Sequence, residues 1–303
     1  MPQGKFLIIG GDLRNVYIHE LLKKEGHRVK AYGFSTYADG QCPPVPGKPC
    51  SGCISRSLSL PRALANTDIV IGPTPCCSNG LLLNMPFHTK PLSVSDLFGA
   101  MQPGQIFYAG RISPEVIALA AARDIEIHDI LDREEMAILN AIPTAEGAIQ
   151  LALEKMNITL HGANALVLGY GRVGKTLADR LKGMGAHVHV AARKPSDLAT
   201  ARGLGYKAID CKKLPKILAQ TDVVFNTVPS ILLDETNLWL LPKHCILLEL
   251  ASRPFGIDPE AAKKEGLALT FAPSLPGKVA PVTAARYILE TIDNIQKEKG
   301  GSA

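Results

Sequence analysis

Short apolar runs recur along the chain, and each one ends in glycine, proline or small polar residues. Runs of this kind are typical of strands that are buried on both faces of a parallel sheet. Stretches with helical character lie between them, which favours alternating strands and helices. In the first half the predicted strands are 5–9, 28–32, 68–71, 105–109 and 125–128, with helices at 15–25 and 114–123. This pattern predicts an α/β domain over residues 1–143.

The second half repeats the pattern, beginning with a helix-favouring stretch at 144–156 that Thr144 is placed to cap. The predicted strands are 163–168, 187–192, 223–226, 245–250 and 267–271. They define a second domain over residues 144–281, and the terminal stretch 282–303 is expected to return to the first domain as a helix. The chain is thus predicted to form an α/β fold of two Rossmann-like domains, each a doubly wound parallel sheet, joined by long hinge helices.

The segment Gly169-Tyr170-Gly171-Arg172-Val173-Gly174 lies between the predicted strand 163–168 and a predicted helix over 174–184. This is the context of strand, glycine turn and helix that a dinucleotide-binding GxGxxG requires. Gly169 allows the tight turn, Gly171 lets the backbone approach the pyrophosphate, and Gly174 lets the helix pack close to the strand. Arg172 and Val173 stand where the helix N-terminus meets the phosphates. The second domain is therefore predicted to bind a dinucleotide.

The residues after the next strand indicate which dinucleotide is bound. Rossmann domains that bind NAD place an acidic residue there, where it bonds the ribose 2′-hydroxyl. In this chain the place is taken by Arg193 and Lys194. Because cations attract the 2′-phosphate of NADP and an acid would repel it, we predict NADP as the cofactor. The alternative is a solvated basic turn.

Ligands of open α/β sheets bind beyond the carboxyl ends of the strands. In the second domain Thr227 and Pro229 follow one predicted strand, and they are expected to shape the nicotinamide pocket. Arg253 follows the next predicted strand, where its guanidinium would fork onto a substrate carboxylate. The alternative for Arg253 is a structural salt bridge.

The first domain offers other polar candidates. Gly10-Gly11-Asp12 lacks the full glycine motif, so no second dinucleotide is predicted there. Arg14 and Arg111 are candidate anion ligands at the carboxyl edge of this domain, with a helix-start or surface charge as the alternative. Asn140 and Glu146 fall at the predicted hinge, where a cleft between the domains is expected. Glu146 alternatively favours a helix N-terminus.

The histidines constrain the chemistry. The chain has eight, and none follows a predicted strand of the second domain. His128, at the end of a first-domain strand, is the one nearest to the expected cleft. A 2-hydroxy-acid dehydrogenase uses a histidine paired with a carboxylate as general base. No such pair is assembled from the sequence, which weighs against simple hydroxy-acid oxidation.

Composition narrows the class of protein. With 46% hydrophobic and 20% charged residues, the chain is expected to be globular. No apolar run approaches the ~20 residues of a bilayer span. No signal peptide is recognised, so a cytoplasmic protein without membrane contact is expected. The net charge of +5 comes without a dense Lys/Arg run, which argues against nucleic-acid binding.

The cysteines argue against a metal site. Their number, seven, is odd for a disulfide framework. Cys42, Cys50 and Cys53 fall in a loop over 40–56 that is rich in proline and glycine, and no clear fourth zinc ligand accompanies them. We expect reduced thiols and no bound metal.

Six segments together resemble the A subunit of dipicolinate synthase. They are 10–14, 137–149, 166–174, 226–230, 248–254 and 272–284. The resemblance covers nearly the whole chain apart from the loop at 40–56, and its most specific parts are 137–149 and 272–284. The segment around Pro276 and Gly277 is also similar to one in alanine dehydrogenases.

The resemblance implies a reaction and partners. The substrate would be a hydroxylated tetrahydrodipicolinate, a cyclic dicarboxylate, and the product dipicolinate, which is stored in bacterial endospores. Water would be lost and a hydride transferred to NADP. The family works with a flavoprotein-like B subunit, and a homo-oligomer is a further option. The alternatives are an amino- or hydroxy-acid dehydrogenase on the same scaffold, or an NADP-binding subunit without catalysis.

Overall fold

The computed structural model describes residues 4–37, 54 and 58–300. It divides the chain into two compact units. Unit 1 consists of Met1–Ala137 and Ala280–Ala303, and unit 2 consists of Ile138–Val279. The terminal segment thus belongs to the same unit as the start of the chain.

Unit 1 is built on a parallel sheet of five strands in the order β2-β1-β3-β6-β7. A separate antiparallel hairpin, β4 and β5, accompanies it. The strands are β1 Lys5–Ile9, β2 Arg28–Tyr32, β3 Ile69–Ile71, β4 Cys77–Asn79, β5 Leu82–Leu83, β6 Ile106–Ala109 and β7 Glu126–Asp129. The order reverses between β1 and β3, so the carboxyl ends of these two strands form the switch point where open sheets bind ligands.

The helices of unit 1 connect these parallel strands. They are α1 Leu13–Lys24, α2 Leu60–Leu64, α3 Val94–Ala100 and α4 Pro114–Ala121, with a 3-10 turn at Ile130–Asp132. Ser93 caps α3 and Ser113 caps α4 through their side chains. The hydroxyl oxygen in each case satisfies an N–H group that the first turn leaves without a helical partner. The short helices α2 and α3 were not predicted from the sequence.

Helix α5, Glu134–Lys155, starts in unit 1 and continues through unit 2. The predicted helix start at Thr144 was wrong, because α5 runs through Pro143 without ending. Thr144 does not cap it; its hydroxyl donates to the carbonyl oxygen of Asn140 at 2.7 Å. Ala145, Ala148 and Ala152 have no exposed surface and belong to the core of unit 2. That packing keeps the helix continuous despite the proline.

The length and hydropathy of α5 reach the minimum for a bilayer span, with 44% of its most apolar window buried. The expectation that no stretch of the chain comes near that minimum was therefore wrong. Buried alanines on one side of α5 pack into the core of unit 2, and core helices of globular proteins meet the same minimum.

Unit 2 is a parallel sheet of six strands in the order β10-β9-β8-β11-β12-β13. This is the strand order of the doubly wound dinucleotide-binding fold, and its switch point lies between β8 and β11. The strands are β8 Asn164–Leu168, β9 His187–Ala192, β10 Lys207–Asp210, β11 Val223–Asn226, β12 Ile246–Glu249 and β13 Ala268–Phe271. The predicted fold class of two Rossmann-like parallel sheets is confirmed. The short strand β10 was not predicted.

The helices of unit 2 cover both faces of this sheet. They are α6 Arg172–Gly183, α7 Pro195–Gly203, α8 Pro215–Leu218, α9 Pro259–Lys264 and α10 Leu275–Val279, with 3-10 turns at Cys211–Lys213 and Leu238–Leu240. One core lies on each face of the sheet. The central strand β8 contributes alternate residues to the two cores, with Val167 in one and Leu166 in the other. Fully buried strands explain the unbroken apolar runs in the sequence.

The last helix, α11 Pro281–Gly300, belongs to unit 1 and packs against α1. Its Ile288 and Ile292 are buried in one core with Val16 and Ile18 of α1. The side chain of Arg133 bonds Glu298 near the end of the helix at 2.8 Å. The terminal helix is thus an integral layer of unit 1.

Candidate functional site

The glycine turn of unit 2 joins β8 to α6 at the switch point of the sheet. Gly169 has φ +94°, and an added Cβ would lie 2.5 Å from Thr227 Oγ1. A Cβ on Gly174 would lie 2.2 Å from the carbonyl oxygen of Gly169. Neither position accepts a side chain, so the two glycines bring the strand end and the helix start into direct contact.

Gly171 fits a different role. A Cβ added there would meet no atom within 4 Å, and the residue is the N-cap of α6. No side chain caps this helix. Arg172 and Val173 form its first turn, where N–H groups and the positive end of the helix dipole favour a phosphate. Open space in front of an uncapped helix is what a dinucleotide pyrophosphate requires, so the residues present fit this cofactor.

The corresponding turn of unit 1 is closed. Asp12 caps α1 by accepting from the backbone N–H of Arg14 at 3.0 Å, and it also accepts from Arg14 Nε at 2.9 Å. The protein's own carboxylate therefore stands at the helix N-terminus, where a phosphate would bind. Because Asp12 occupies this place, the incomplete glycine motif of unit 1 does not form an open phosphate site like that of unit 2.

Arg193 and Lys194 follow β9, and both are exposed. Lys194 is the N-cap residue of α7, and no side chain caps that helix. Burial raises the pKa of the neighbouring Cys211 thiol, while the positive charge of Arg193 acts in the opposite direction. The residues that follow β9 are thus two cations, as the sequence indicated, while Asp210 ends the neighbouring strand β10 opposite Ala192.

Thr227 and Pro229 form the turn that follows β11. The backbone N–H and the hydroxyl of Thr227 both donate to the carbonyl oxygen of Leu168, at 2.9 and 2.8 Å. These bonds tie the end of β11 to the end of β8 across the switch point. Pro229 is exposed on the same turn. Both residues follow β11, as predicted, and Thr227 lies beside Gly169.

Arg253 lies in the loop after β12 and is exposed. Its guanidinium carbon is 5.4 Å from the centre of the Phe255 ring, within the range of a cation–π contact. Phe255 in turn packs against Phe271, with ring centres 4.8 Å apart. Among the described residues no carboxylate forms an ion pair with Arg253. An exposed guanidinium held on an aromatic ring is well placed to bind an anion.

Glu249, the last residue of β12, was not predicted from the sequence as a functional residue. Its side chain is 1% exposed, and it accepts from Asn226 Nδ2 at 2.6 Å and from backbone N–H groups of the Arg253 loop. Asn226, which ends β11, is fully buried. A glutamate closing an otherwise apolar strand was the available signal.

Arg14 and Arg111 both lie at the carboxyl edge of the unit 1 sheet but in different settings. Arg14 is 5% exposed; its Nη2 bonds Asp12 Oδ2 at 2.9 Å and also donates to the carbonyl oxygen of Thr74. The structure therefore uses Arg14 to join the turns after β1 and β3. Arg111 is exposed, with φ +55°, and its backbone N–H donates to Asp129 Oδ1 at 3.0 Å. Its side chain is the more accessible of the two.

Asn140 and Glu146 both lie on α5, within unit 2. The Oδ1 atom of Asn140 is buried and has no hydrogen-bond partner among the described residues. Glu146 forms an ion pair with Arg180 of α6, with Oε1 and Nε 3.4 Å apart. Glu146 is thus in the middle of a helix and not in its first turn, where the alternative interpretation placed it.

The structure contains histidine–carboxylate pairs, but among the described residues none of them lies at the carboxyl edge of the unit 2 sheet, so the expectation that the dyad of a hydroxy-acid dehydrogenase is not assembled there stays a prediction. In unit 1, His128 Nε2 lies 2.5 Å from Glu126 Oε1, and the His128 ring stacks on Tyr108. Burial raises the pKa of Glu126, but the bonds from Lys299 and His128 outweigh it and lower that pKa overall. The pair lies on the edge strand β7, two strands away from the switch point.

No cluster of three metal-ligating side chains occurs in the part of the chain that the structure describes. Cys42, Cys50 and Cys53 lie outside the described residues. The prediction that the chain binds no metal therefore stays a prediction.

The open glycine turn on a six-stranded parallel sheet defines the class of protein. Residues 118–253 match the NAD binding domain of the D-isomer specific 2-hydroxyacid dehydrogenases. The chain is an NAD(P)-dependent oxidoreductase of the dehydrogenase type that binds a nicotinamide dinucleotide. Its first part is more distinctive, because residues 5–131 match the N-terminal domain of the dipicolinate synthase A subunit.

The comparison with whole proteins agrees with this match. The dipicolinate synthase A subunit of Bacillus subtilis (strain 168) is 29% identical over 300 residues, which cover 98% of both chains. The crystal structure of the same synthase chain from Bacillus subtilis has a TM-score of 0.84 at 27% identity, covering 100% of this chain and 99% of that one. The A-subunit structure from Bacillus halodurans has a TM-score of 0.81 at 27% identity, covering 97% and 98%. The predicted resemblance is confirmed: the chain is similar to dipicolinate synthase A subunits over 98% of its length.

Proposed function

We propose that this chain is the A subunit of a dipicolinate synthase and converts 4-hydroxy-tetrahydrodipicolinate to dipicolinate with NADP. The full-length similarity to dipicolinate synthase A subunits supports the substrate class. The observation that carries the proposal is the exposed Arg253, held on Phe255 at the same sheet edge as the open glycine turn.

The substrate is a ring with two carboxylates, so its recognition requires cations. A guanidinium binds a carboxylate through two parallel N–H···O bonds, which fixes orientation as well as energy. Arg253 is the candidate clamp for a substrate carboxylate in unit 2, and Arg111 is the exposed candidate anion ligand in unit 1. Arg14 is the weaker candidate, because its Nε and Nη2 atoms are engaged with Asp12 and Thr74.

The net chemistry is the loss of water from the hydroxylated ring, followed by the loss of a hydride and a proton. The nicotinamide ring of bound NADP supplies the hydride acceptor. Because the product is an aromatic pyridine, the reaction has a large driving force and does not need a strong protein base. The protein's task is then to orient the ring, since hydride transfer requires near-attack geometry. This fits a sheet edge in unit 2 that carries an arginine and no histidine after its strands.

NADP is proposed over NAD because Arg193 and Lys194 follow β9 where NAD-binding domains have an acid. We further propose that the chain acts in the cytoplasm of a spore-forming bacterium, in a complex with a flavoprotein-like B subunit. The name of the relatives, which designates one subunit of a synthase, supports the existence of a partner.

The decisive experiment is an absorbance assay with the cyclic substrate and NADP, with and without the B subunit. Growth of the reduced-nicotinamide band and of the dipicolinate band at equal rates is the expected result. Turnover of simple amino or hydroxy acids by this chain alone would instead indicate a different dehydrogenase. Cofactor binding without hydride transfer, even with the B subunit present, would indicate a non-catalytic subunit.

A further inference from the structure

Glu249 and Asn226 end two neighbouring strands at the edge of unit 2 that holds the glycine turn. The register of the sheet pairs them directly, because β11 and β12 run parallel with Asn226 opposite Glu249. Neither side chain is accessible, at 0% and 1% exposure. A polar pair buried this deeply at a sheet edge requires every hydrogen-bonding atom to be satisfied.

The carboxylate of Glu249 is satisfied by donors on both oxygens. Oε1 accepts from Asn226 Nδ2 at 2.6 Å and from the backbone N–H of Ala251 at 2.9 Å. Oε2 accepts from the backbone N–H groups of Gly256 and Ile257 at 3.0 and 3.1 Å. An ionised carboxylate only accepts, so these four donors match it and no neutral side chain would.

The backbone donors lie on both sides of Arg253. Ala251 precedes Arg253 and Gly256 follows it, so the single carboxylate closes the loop around the arginine. Within this loop the backbone of Phe255 has φ +69°, and the Arg253 guanidinium lies on the Phe255 ring. No residue other than glycine fits at position 256, because a Cβ there would lie 2.4 Å from Asn226 Nδ2.

Asn226 extends the network to the other turn of the site. Its Nδ2 donates to the carbonyl oxygen of Val228 at 2.9 Å, and its Oδ1 accepts from the backbone N–H of Val228 at 3.1 Å. Val228 stands between Thr227 and Pro229. One buried pair therefore holds both the turn after β11 and the loop after β12.

We infer that Glu249, together with Asn226, is a positioning residue that fixes the orientation of Arg253 relative to the Thr227–Pro229 turn. The importance of this orientation for substrate rests on the proposed function of Arg253. The pair touches neither substrate nor cofactor, and it acts through the backbone of the loop. Its effect is to hold the guanidinium in place before the dicarboxylate arrives.

The isosteric variant Glu249→Gln tests this inference. Each oxygen of the carboxylate accepts hydrogen bonds from two donors. In either orientation of the glutamine amide, its NH₂ group therefore faces two donors, and the loop must shift. We expect the Arg253 side-chain Nε–H resonance to lose the ring-current shift from Phe255, and the amides of Gly256 and Ile257 to exchange about tenfold faster or more. A matched control is Asp222→Asn at the amino edge of the same sheet, where the carboxylate accepts from the Asn164 N–H at 2.7 Å. It should leave the Arg253 resonance unchanged.

Dipicolinate binding gives the functional readout. Glu249→Gln and Arg253→Lys should each weaken binding roughly tenfold, and the double variant should bind no more weakly than the weaker of the two single variants.

An unchanged Arg253 resonance in Glu249→Gln, or additive losses in the double variant, would overturn the inference. If Glu249→Gln does not fold, Glu249→Asp, which retains the charge, should show the same changes in smaller measure. Failure of both variants to fold would assign the pair a purely structural role and also overturn it. If the wild-type chain binds no dipicolinate, the proposed function fails, while the resonance and exchange data still decide the positioning role.

Discussion

The carbonyl oxygen of Gly169 and the α-carbon of Gly174 approach so closely that a Cβ on Gly174 would lie 2.2 Å from that oxygen. The oxygen is a backbone atom and the Cβ is bonded directly to the backbone, so no flexible side chain can move to relieve the clash. Gly174→Ala should therefore destabilise unit 2 by about 3 kcal/mol, the upper end of the usual range for overpacked sites. Chemical unfolding followed by circular dichroism measures the change. A variant as stable as wild type would show that the turn is looser than the structure describes.

Gly171 should respond in the opposite way. An alanine there meets no atom within 4 Å, so the stability of the fold should change by less than about 1 kcal/mol. The methyl group would occupy the space in front of α6 that the pyrophosphate needs, and cofactor affinity should fall roughly tenfold or more.

The matched control is Gly183→Ala at the other end of α6, which also meets no atom within 4 Å. This control should bind the dinucleotide normally. Titration calorimetry with NADP and NAD compares the variants. Normal cofactor binding by Gly171→Ala would place the pyrophosphate elsewhere.

The glycine turn shows how far local sequence reasoning reaches. Its function depends on residues within one strand, turn and helix, so spacing alone predicted it. The network of Glu249 depends on Ile257 eight residues away and on Asn226 in another strand. A single sequence shows no signal for such contacts except a glutamate at the end of an apolar run.

One prediction was wrong and one stayed open for similar reasons. Pro143 predicted a boundary because proline removes a helical hydrogen bond, but tertiary packing of the alanines in α5 outweighs that cost. Arg14 was a candidate anion ligand, and the carbonyl group of Thr74 that accepts from it lies sixty residues further along the chain. Long-range partners of this kind appear only when the sheet is assembled.

Cofactor choice depends on the two cations after β9. NADP should bind more tightly than NAD, and Arg193→Ala should weaken NADP binding by roughly 1.5–3 kcal/mol, about tenfold to a hundredfold. NAD binding should hardly change, because NAD carries no 2′-phosphate. Arg202→Ala, an exposed arginine in the last turn of α7, serves as the control and should affect neither cofactor. Equal losses for NADP and NAD in Arg193→Ala would remove the basis for NADP specificity.

His19 makes unit 1 sensitive to acid. Burial and then the charge of Lys23 lower the pKa of His19 from 6.5 to about 4. Between these two pH values His19 is protonated in the unfolded chain but neutral in the folded chain. The contribution of His19 to the free energy of unfolding is therefore fully present above pH 6.5 and decreases as the pH falls toward about 4. The loss attributable to this residue is about 3 kcal/mol across that window. Free energies of unfolding measured at several pH values should show a flatter profile for His19→Gln, whereas His161→Gln, at an exposed position, should keep the wild-type slope.

Arg253 supplies the test of substrate recognition. Lysine keeps the positive charge but loses the planar fork that binds a carboxylate through two bonds, so Arg253→Lys should bind NADP normally and lose turnover on the order of a hundredfold. The free energy of unfolding should barely change, because the side chain is exposed. Arg202→Lys, a surface substitution of the same kind in the same unit, should retain full turnover. Steady-state rates with the cyclic substrate, NADP and the B subunit provide the measurement. If Arg253→Lys turns over like wild type, or unfolds, the clamp is another residue, and Arg111 becomes the leading candidate because its side chain is exposed at the carboxyl edge of unit 1.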